Sequence, residues 1–282
     1  MPAFHGGHTR HRWSRTARRS INLAVRIATW NVNSIKARLK FVLHWLEARR
    51  PDVVAIQELK VDEENFPFEA LNEAGYHAQL QAQPTWNGVA VLSREAGIKK
   101  QSGLPGAEDA GARLVTVEVG PLSMTSVYVP NGKTVEHEDY QLKLTFLDAL
   151  VRYAETIVRP DELVVIGGDY NICPEDIDTH DPAGLAGAIF HTDQERARIK
   201  RLAGVGLIDL YRAHEPDGDM FSWWDYRAGA FHKNKGLRID LLLATPALRD
   251  TVTKVWIDRD YRKKKDGGTP SDHAPVIADL DL

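Results

Sequence analysis

The sequence predicts an α/β protein in which two mixed β-sheets pack face to face with helices outside. Three observations carry this. A strand–helix–strand unit opens the patterned part of the chain, the second half repeats the same alternation, and no Pro/Gly/Ser-rich linker separates the halves. Residues 25–282 are therefore read as a single domain. The 282 residues are 43% apolar and 27% charged, which suits a globular chain with a large core. No run approaches the ~18 apolar residues of a membrane span, so no membrane partner is expected. The single cysteine excludes a disulfide framework and a cysteine-based zinc cluster, and it fits a reducing, cytoplasmic location.

Each element follows from local pattern. Residues 25–32 alternate as a buried strand that ends at Asn31-Val32-Asn33-Ser34. Ile35, Leu39, Val42, Leu43 and Leu46 fall at helical spacing, which places a helix over 34–49 with Ser34 as its cap and Pro51 beyond its end. Residues 52–57 form a second buried strand with Glu58 at its tip. A short helix over 66–74 follows, then strands at 76–81, 88–93, 113–119 and 122–129, read as consecutive and antiparallel. Leu142, Phe146, Leu150, Tyr153 and Ile157 set a long helix over 135–158. A strand at 162–168, a helix at 193–203 and strands near 207–211, 220–225, 238–244, 252–257 and 274–281 complete the second half. No clear element shows between 171 and 193.

Charge is unevenly placed. Arg10, Arg12, Arg15, Arg18, Arg19 and Arg26 are the only charges in residues 1–26, so a net charge of −3 becomes −9 over the remaining 256 residues. An acidic body argues against a purely electrostatic nucleic-acid binder. Residues 1–24 lack apolar periodicity and read as a disordered basic extension, with a composition that also suits an organelle transit peptide.

Polar residues gather at strand ends: Asn31, Gln57-Glu58, Asp169-Tyr170-Asn171, Asp240, and Asp272-His273. Each alone reads as an ordinary turn residue. Five such places at the ends of core strands point to a site, because ligands in α/β folds bind at strand carboxyl ends. Asp240, flanked by Ile239 and Leu241, is costly to bury unless paired or metal-bound. Asp169 and Asn171, two apart, would share a face in extended backbone. Asp272 and His273 diverge as neighbours, so the carboxylate that orients His273 is expected from another strand, with Asp240 the natural partner. Glu58, Asn31 and further carboxylates offer hard oxygen ligands suited to Mg²⁺ or Mn²⁺. The sequence has no HExxH run, no phosphate-binding glycine loop and no Gly-x-Ser-x-Gly elbow. The residue types fit metal-assisted hydrolysis of a phosphate ester by activated water.

Six runs then carry a resemblance. Thr29-Trp30-Asn31-Val32-Asn33-Ser34, Ile56-Gln57-Glu58-Leu59-Lys60, Val127-Tyr128-Val129-Pro130-Asn131-Gly132, Gly167-Gly168-Asp169-Tyr170-Asn171, Gly236-Leu237-Arg238-Ile239-Asp240-Leu241-Leu242-Leu243 and Ser271-Asp272-His273-Ala274-Pro275 occur in that order. The chain resembles the exonuclease III (AP endonuclease) family of the endonuclease/exonuclease/phosphatase superfamily from Val25 to Leu282. The resemblance implies a four-layered, DNase I-like α/β sandwich. It implies Glu58 as principal Mg²⁺ ligand, Asn31 beside it and Asp272 in support. Asp169 would activate water, Asn171 and Asn131 would orient water and phosphate, and Tyr128 would donate to the phosphate. His273, paired with Asp240, would stabilise the transition state; the family pattern leaves either Asp169 or His273 as the base. Trp223 or Trp224 with Leu237 would wall a pocket for a base-less sugar flipped from the duplex.

The function this implies is a DNA-repair nuclease that cuts duplex DNA 5′ to abasic sites and clears blocked 3′ ends, with 3′–5′ exonuclease and 3′-phosphatase activity. A monomer is expected, nucleoid-associated in a bacterium. Among the basic runs, Arg259, Arg262, Lys263, Lys264 and Lys265 are the best placed to meet a phosphate backbone. Two alternatives compete: a superfamily phosphatase acting on inositol phosphates or lipid head groups, and a catalytically silent DNA-binding module.

Overall fold

A computed structural model describes residues 24–266 and 268–282, so the expected basic extension lies, but for Ala24, outside the described residues. In chain order the first half comprises β1 (Ala24–Asn31), α1 (Ile35–Arg49), β2 (Val53–Gln57), α2 (Phe68–Glu73), β3 (His77–Gln81), β4 (Val89–Ser93), β5 (Ile98–Ser102), β6 (Leu114–Val119) and β7 (Leu122–Tyr128). The second half comprises α3 (Glu138–Ile157), β8 (Leu163–Asp169), α4 (Pro182–Leu185), α5 (Asp193–Gly204), β9 (Ile208–Asp209), α6 (Leu210–His214), β10 (Asp240–Ala244), α7 (Pro246–Arg249), β11 (Val252–Ile257) and β12 (Val276–Asp281).

The period-two alternation of the strands builds the layers. On β2, Val53 and Ala55 face Val115, Met124, Val165 and Leu242 of the opposite sheet, while Val54 and Ile56 face Phe41, Val42 and Trp45 of α1. On β8, Val165 joins the same inter-sheet core, while Val164 and Ile166 pack with Phe146, Leu147 and Leu150 of α3. The result is helix, sheet, sheet, helix: the four-layered sandwich.

Each sheet has six strands, ordered β11-β12-β1-β2-β4-β3 and β5-β6-β7-β8-β10-β9. Each contains one parallel pair joined across a helix, β1-α1-β2 and β7-α3-β8, which is the repeated alternation visible in the sequence. A parallel pair brings two strand carboxyl ends to one edge of its sheet. β12 and β10 run antiparallel to β1 and β8, so their amino ends start from that same edge. Topology thus gathers the ends of β1, β2, β7 and β8 with the beginnings of β10 and β12.

Four expectations need correction. The strands at 88–93 and 113–119 are not neighbours, because the chain changes sheets between them through β5. β5 carries Lys99 and Lys100 on an exposed edge; charged side chains protect an open strand edge and also erase its apolar signature. The strand near 207–211 is only two residues long before α6 begins, and 220–225 forms isolated bridges rather than a strand. The interval 171–193 holds a 3₁₀ turn at Asp176–Asp178 and the short α4.

Candidate active site

The parallel register of the first sheet sets Asn31 opposite Gln57, one residue before Glu58. Beyond the strand the backbone turns sharply, with Glu58 and Lys60 at φ of 55° and 53°. Such left-handed conformations are unfavourable for these residues and need outside support. It comes from Ser34 N–H donating to Glu58 O (2.7 Å), and from Leu59 and Lys60 N–H donating to Gly88 O and Asn87 O (3.0 and 2.9 Å). In the second sheet Asp169 stands between two neighbours, Tyr128 on the parallel side and Asp240 on the antiparallel side. A row of Tyr128, Asp169 and Asp240 therefore faces Asn31 and Glu58 across the sandwich.

Hydrogen bonds tie the two sheets together. Asn31 Nδ2 donates to Glu58 Oε1 (2.7 Å) and to Asp169 Oδ2 (2.9 Å). Its Oδ1 accepts from Asn33 N–H (2.9 Å), so the amide turns its nitrogen toward the carboxylates. His273 Nδ1 lies 2.8 Å from Asp240 Oδ2, the partner expected from sequence, and Nε2 lies 3.8 Å from Asp169 Oδ2. Asp240 N–H and Ile239 N–H both donate to Ser222 Oγ (3.1 Å each), which fixes the start of β10. Asp169 and Asn171 are side by side, but through a turn rather than an extended strand: Asn171 has φ 50° and its N–H donates to Asp169 Oδ1 (2.9 Å). Asn131 Nδ2 reaches Asn171 Oδ1 at 3.3 Å, and Asn171 Nδ2 donates to Val129 O at 3.0 Å.

The electrostatics are those of a carboxylate cluster. Glu58 Oε2 is paired with Lys60 (2.6 Å). Burial, with Asp240 and Glu58 as like charges, pushes the Asp169 carboxyl up to about 7 against the opposing pull of His273 and Asn31. Burial opposes charge on His273, but Asp240 and Asp169 outweigh it and raise the imidazole to about 10. Burial raises the Tyr128 phenol well above its ordinary value, and the nearby Glu58 and Asp169 charges reinforce that. Asp272 is held below the usual carboxylate range despite burial, by His273 and by hydrogen bonds from Trp223 Nε1 (3.0 Å) and Asn33 Nδ2 (2.9 Å). Donor atoms of Glu58, Asp169 and His273 lie within 4.8 Å of one another. Asp272 lies outside that trio. Hard carboxylate oxygens in excess, with Asp240 Oδ1 buried and without a hydrogen-bond partner among the described residues, fit a divalent cation.

Residues 28–273 match the Endonuclease/Exonuclease/phosphatase family. The chain belongs to that family. It is 33% identical to the exodeoxyribonuclease III of Haemophilus influenzae over 91% of this chain and 100% of that protein. It is 28% identical to an exodeoxyribonuclease of Bacillus subtilis over 89% of this chain and 98% of that protein. Among solved structures it superposes on an AP endonuclease from Archaeoglobus fulgidus with a TM-score of 0.88 and 33% identity, covering 92% and 100% of the two chains. A Neisseria 3′ phosphatase, NExo, solved bound to product DNA hairpin, gives a TM-score of 0.87 at 35% identity over 92% and 100%. These relatives place the chain in the exonuclease III-like branch, as a nuclease enzyme.

Within this family member the two tryptophans of the expected pocket part company. Trp223 is half-buried beside the site, bridged to Leu237 and His273, with its ring 6.5 Å from that of His273. Trp224 is fully buried in the inter-sheet core, edge-on to Phe231 at 5.2 Å. Adjacent residues project to opposite sides, so Trp224 cannot wall an open pocket; Trp223 and Leu237 remain. The basic run divides likewise: Arg262 is buried and donates to Asp272 O and Trp224 O, whereas Lys263 and Lys264 are exposed.

Five residues around the site, Asn33, Lys60, Arg113, Lys143 and Ser222, stand outside the set the sequence marks. Asn33 and Lys60 had a signal, each standing two residues beyond a site residue. Arg113 stacks 4.7 Å over the Tyr128 ring and donates to Tyr128 O (3.2 Å), a contact only the β6–β7 pairing creates. Ser222 is hidden in an aromatic run.

Proposed function

We propose that this nuclease is a Mg²⁺-dependent DNA-repair enzyme, a single domain over residues 25–282, that hydrolyses duplex DNA 5′ to abasic sites. Trimming of 3′ ends, as exonuclease and 3′-phosphatase, follows from the same chemistry at a terminal phosphodiester or phosphate. The observation that carries this reading is the buried Asp240–His273–Asp169 row facing Glu58 at converging strand ends.

Glu58 would be the principal holder of the metal, with Asp169 and His273 facing it and Asn31 and Asp272 at its margin. When bound, Mg²⁺ supplies charge stabilisation for a phosphoryl oxygen and a lowered pKa for water. The residues divide the remaining work. His273 at about 10 stays protonated at neutral pH, so it serves as a fixed cation beside the developing phosphorane. Asp169, near 7, is left to take the proton of the attacking water. Tyr128, its phenol held protonated, donates to the phosphate. Asn131 and Asn171 orient water and phosphate, and Trp223 with Leu237 receives the base-less sugar by shape. Exposed Lys263 and Lys264 are suited to backbone contact without sequence preference.

The test is a labelled duplex with one central abasic-site analogue, incubated with Mg²⁺ and with EDTA. A single cut 5′ to the analogue, present only with metal, is expected. An intact strand under both conditions, with inositol phosphates hydrolysed instead, would contradict the reading.

A further inference from the structure

Lys143, on α3, has a side chain with no solvent exposure, and so has its partner Glu195 on α5. An ion pair alone would use one of the three ammonium donors. The other two go to backbone carbonyls: Asn171 O at 2.6 Å and Asn131 O at 3.3 Å. Those carbonyls belong to the two asparagines whose side-chain amides meet at the site. Glu195 in turn accepts from Phe190 N–H (3.1 Å), Thr192 N–H (3.0 Å) and Thr192 Oγ (2.8 Å), so it anchors the loop entering α5. The Asn131 turn rests on the lysine stem itself. Gly132 has φ +87°, and a Cβ there would lie 3.2 Å from Lys143 Cδ and 2.9 Å from Ile189 Cδ1.

Stability is a weak reason for this arrangement. A buried ion pair is often no better than apolar residues of the same shape. What a lysine offers here is three donors aimed at three separate segments. We propose that Lys143, held by Glu195, is a positioning residue that sets Asn131 and Asn171 for catalysis by gripping their backbone carbonyls. This rests on the reading that those asparagines orient water and phosphate.

The test pairs Lys143→Met with Glu195→Gln, which removes both buried charges together and avoids stranding one. Tm, DNA affinity in EDTA and single-turnover cleavage in Mg²⁺ are measured, alone and in an Asn171→Ala background. The pair should melt cooperatively and bind duplex as the wild type does, yet cleave roughly 100-fold more slowly, the scale of a small misplacement of reacting groups. In the Asn171→Ala background the same change should cost less than about 10-fold, because the share exerted through Asn171 is already lost and only that through Asn131 remains. A full, additive loss in that background overturns the tether alone, as does wild-type cleavage by the pair. Wild-type cleavage by Asn171→Ala itself overturns the asparagine reading and the tether with it. If the first pair does not fold, Lys143→Gln with Glu195→Gln keeps a neutral donor and passes through the same cycle.

Discussion

Asp169 concentrates the electrostatic cost of the site. It is buried, accepts from Asn31 and from Asn171 N–H, and lies among Asp240 and Glu58. Its folded value of about 7 lies above the ordinary carboxylate value of 3.8, so in the metal-free protein the native state holds this proton more tightly than the unfolded chain. The group therefore lowers stability progressively as pH rises from about 4 toward 7. Asp169→Asn removes that penalty along with the proposed proton acceptor. Turnover should fall by about 100- to 10,000-fold, the range for loss of a general base. The metal-free Tm of the variant, relative to wild type, should climb across that pH interval. Wild-type turnover, or a Tm difference flat with pH, would refute the assignment. Such a residue was half legible in sequence: the Gly-Gly-Asp-Tyr-Asn run marked it, and extended geometry suggested Asn171 as neighbour. The turn that brings them together needs φ 50° at Asn171, which no side-chain pattern announces.

Among the elements, the β7–β8 pair does most to build the site, since its parallel register sets Tyr128 beside Asp169. Gly168 permits the close approach. A Cβ there would lie 1.9 Å from Val127 O and 2.7 Å from Val127 Cγ1. Gly168→Ala should therefore destabilise the protein by about 3 kcal/mol, at the upper end for overpacking, and lower activity in the fraction that folds. Urea denaturation gives the first number, and an unchanged midpoint would contradict the packing. The neighbouring β1-α1-β2 unit was readable almost to the residue, because α1 has apolar spacing, a cap (Ser34 Oγ accepting from Ala37 N–H at 3.4 Å) and a left-handed stop at Arg50. β5 and the 220–225 segment were not. The edge strand is written in lysines, and the aromatic run alternates between core and site without a ladder to hold it.

At the scale of the molecule, two similar half-sandwiches each bring a parallel pair to one edge, and the site exists only where those edges meet. The two-sheet architecture was legible because alternation and helix spacing recur in both halves. Which edges converge was not, since strand order depends on pairings far apart in the chain. Four carboxylates there, Glu58, Asp169, Asp240 and Asp272, surround His273 and Lys60, a balance that a divalent cation would relieve. Mg²⁺ at about 100 times its dissociation constant should add about 2.7 kcal/mol to stability. Glu58→Gln should abolish most of the corresponding Tm rise; an undiminished rise would place the metal elsewhere.

In the proposed reaction, water activated between the two sheets attacks phosphorus. Cleavage of an abasic-site duplex in heavy-oxygen water, followed by mass spectrometry of the fragments, tests it directly. One heavy oxygen on the 5′-phosphate and an unlabelled 3′-hydroxyl are expected. Unlabelled phosphate with an unsaturated sugar at the 3′ end would mean elimination rather than hydrolysis and would contradict it.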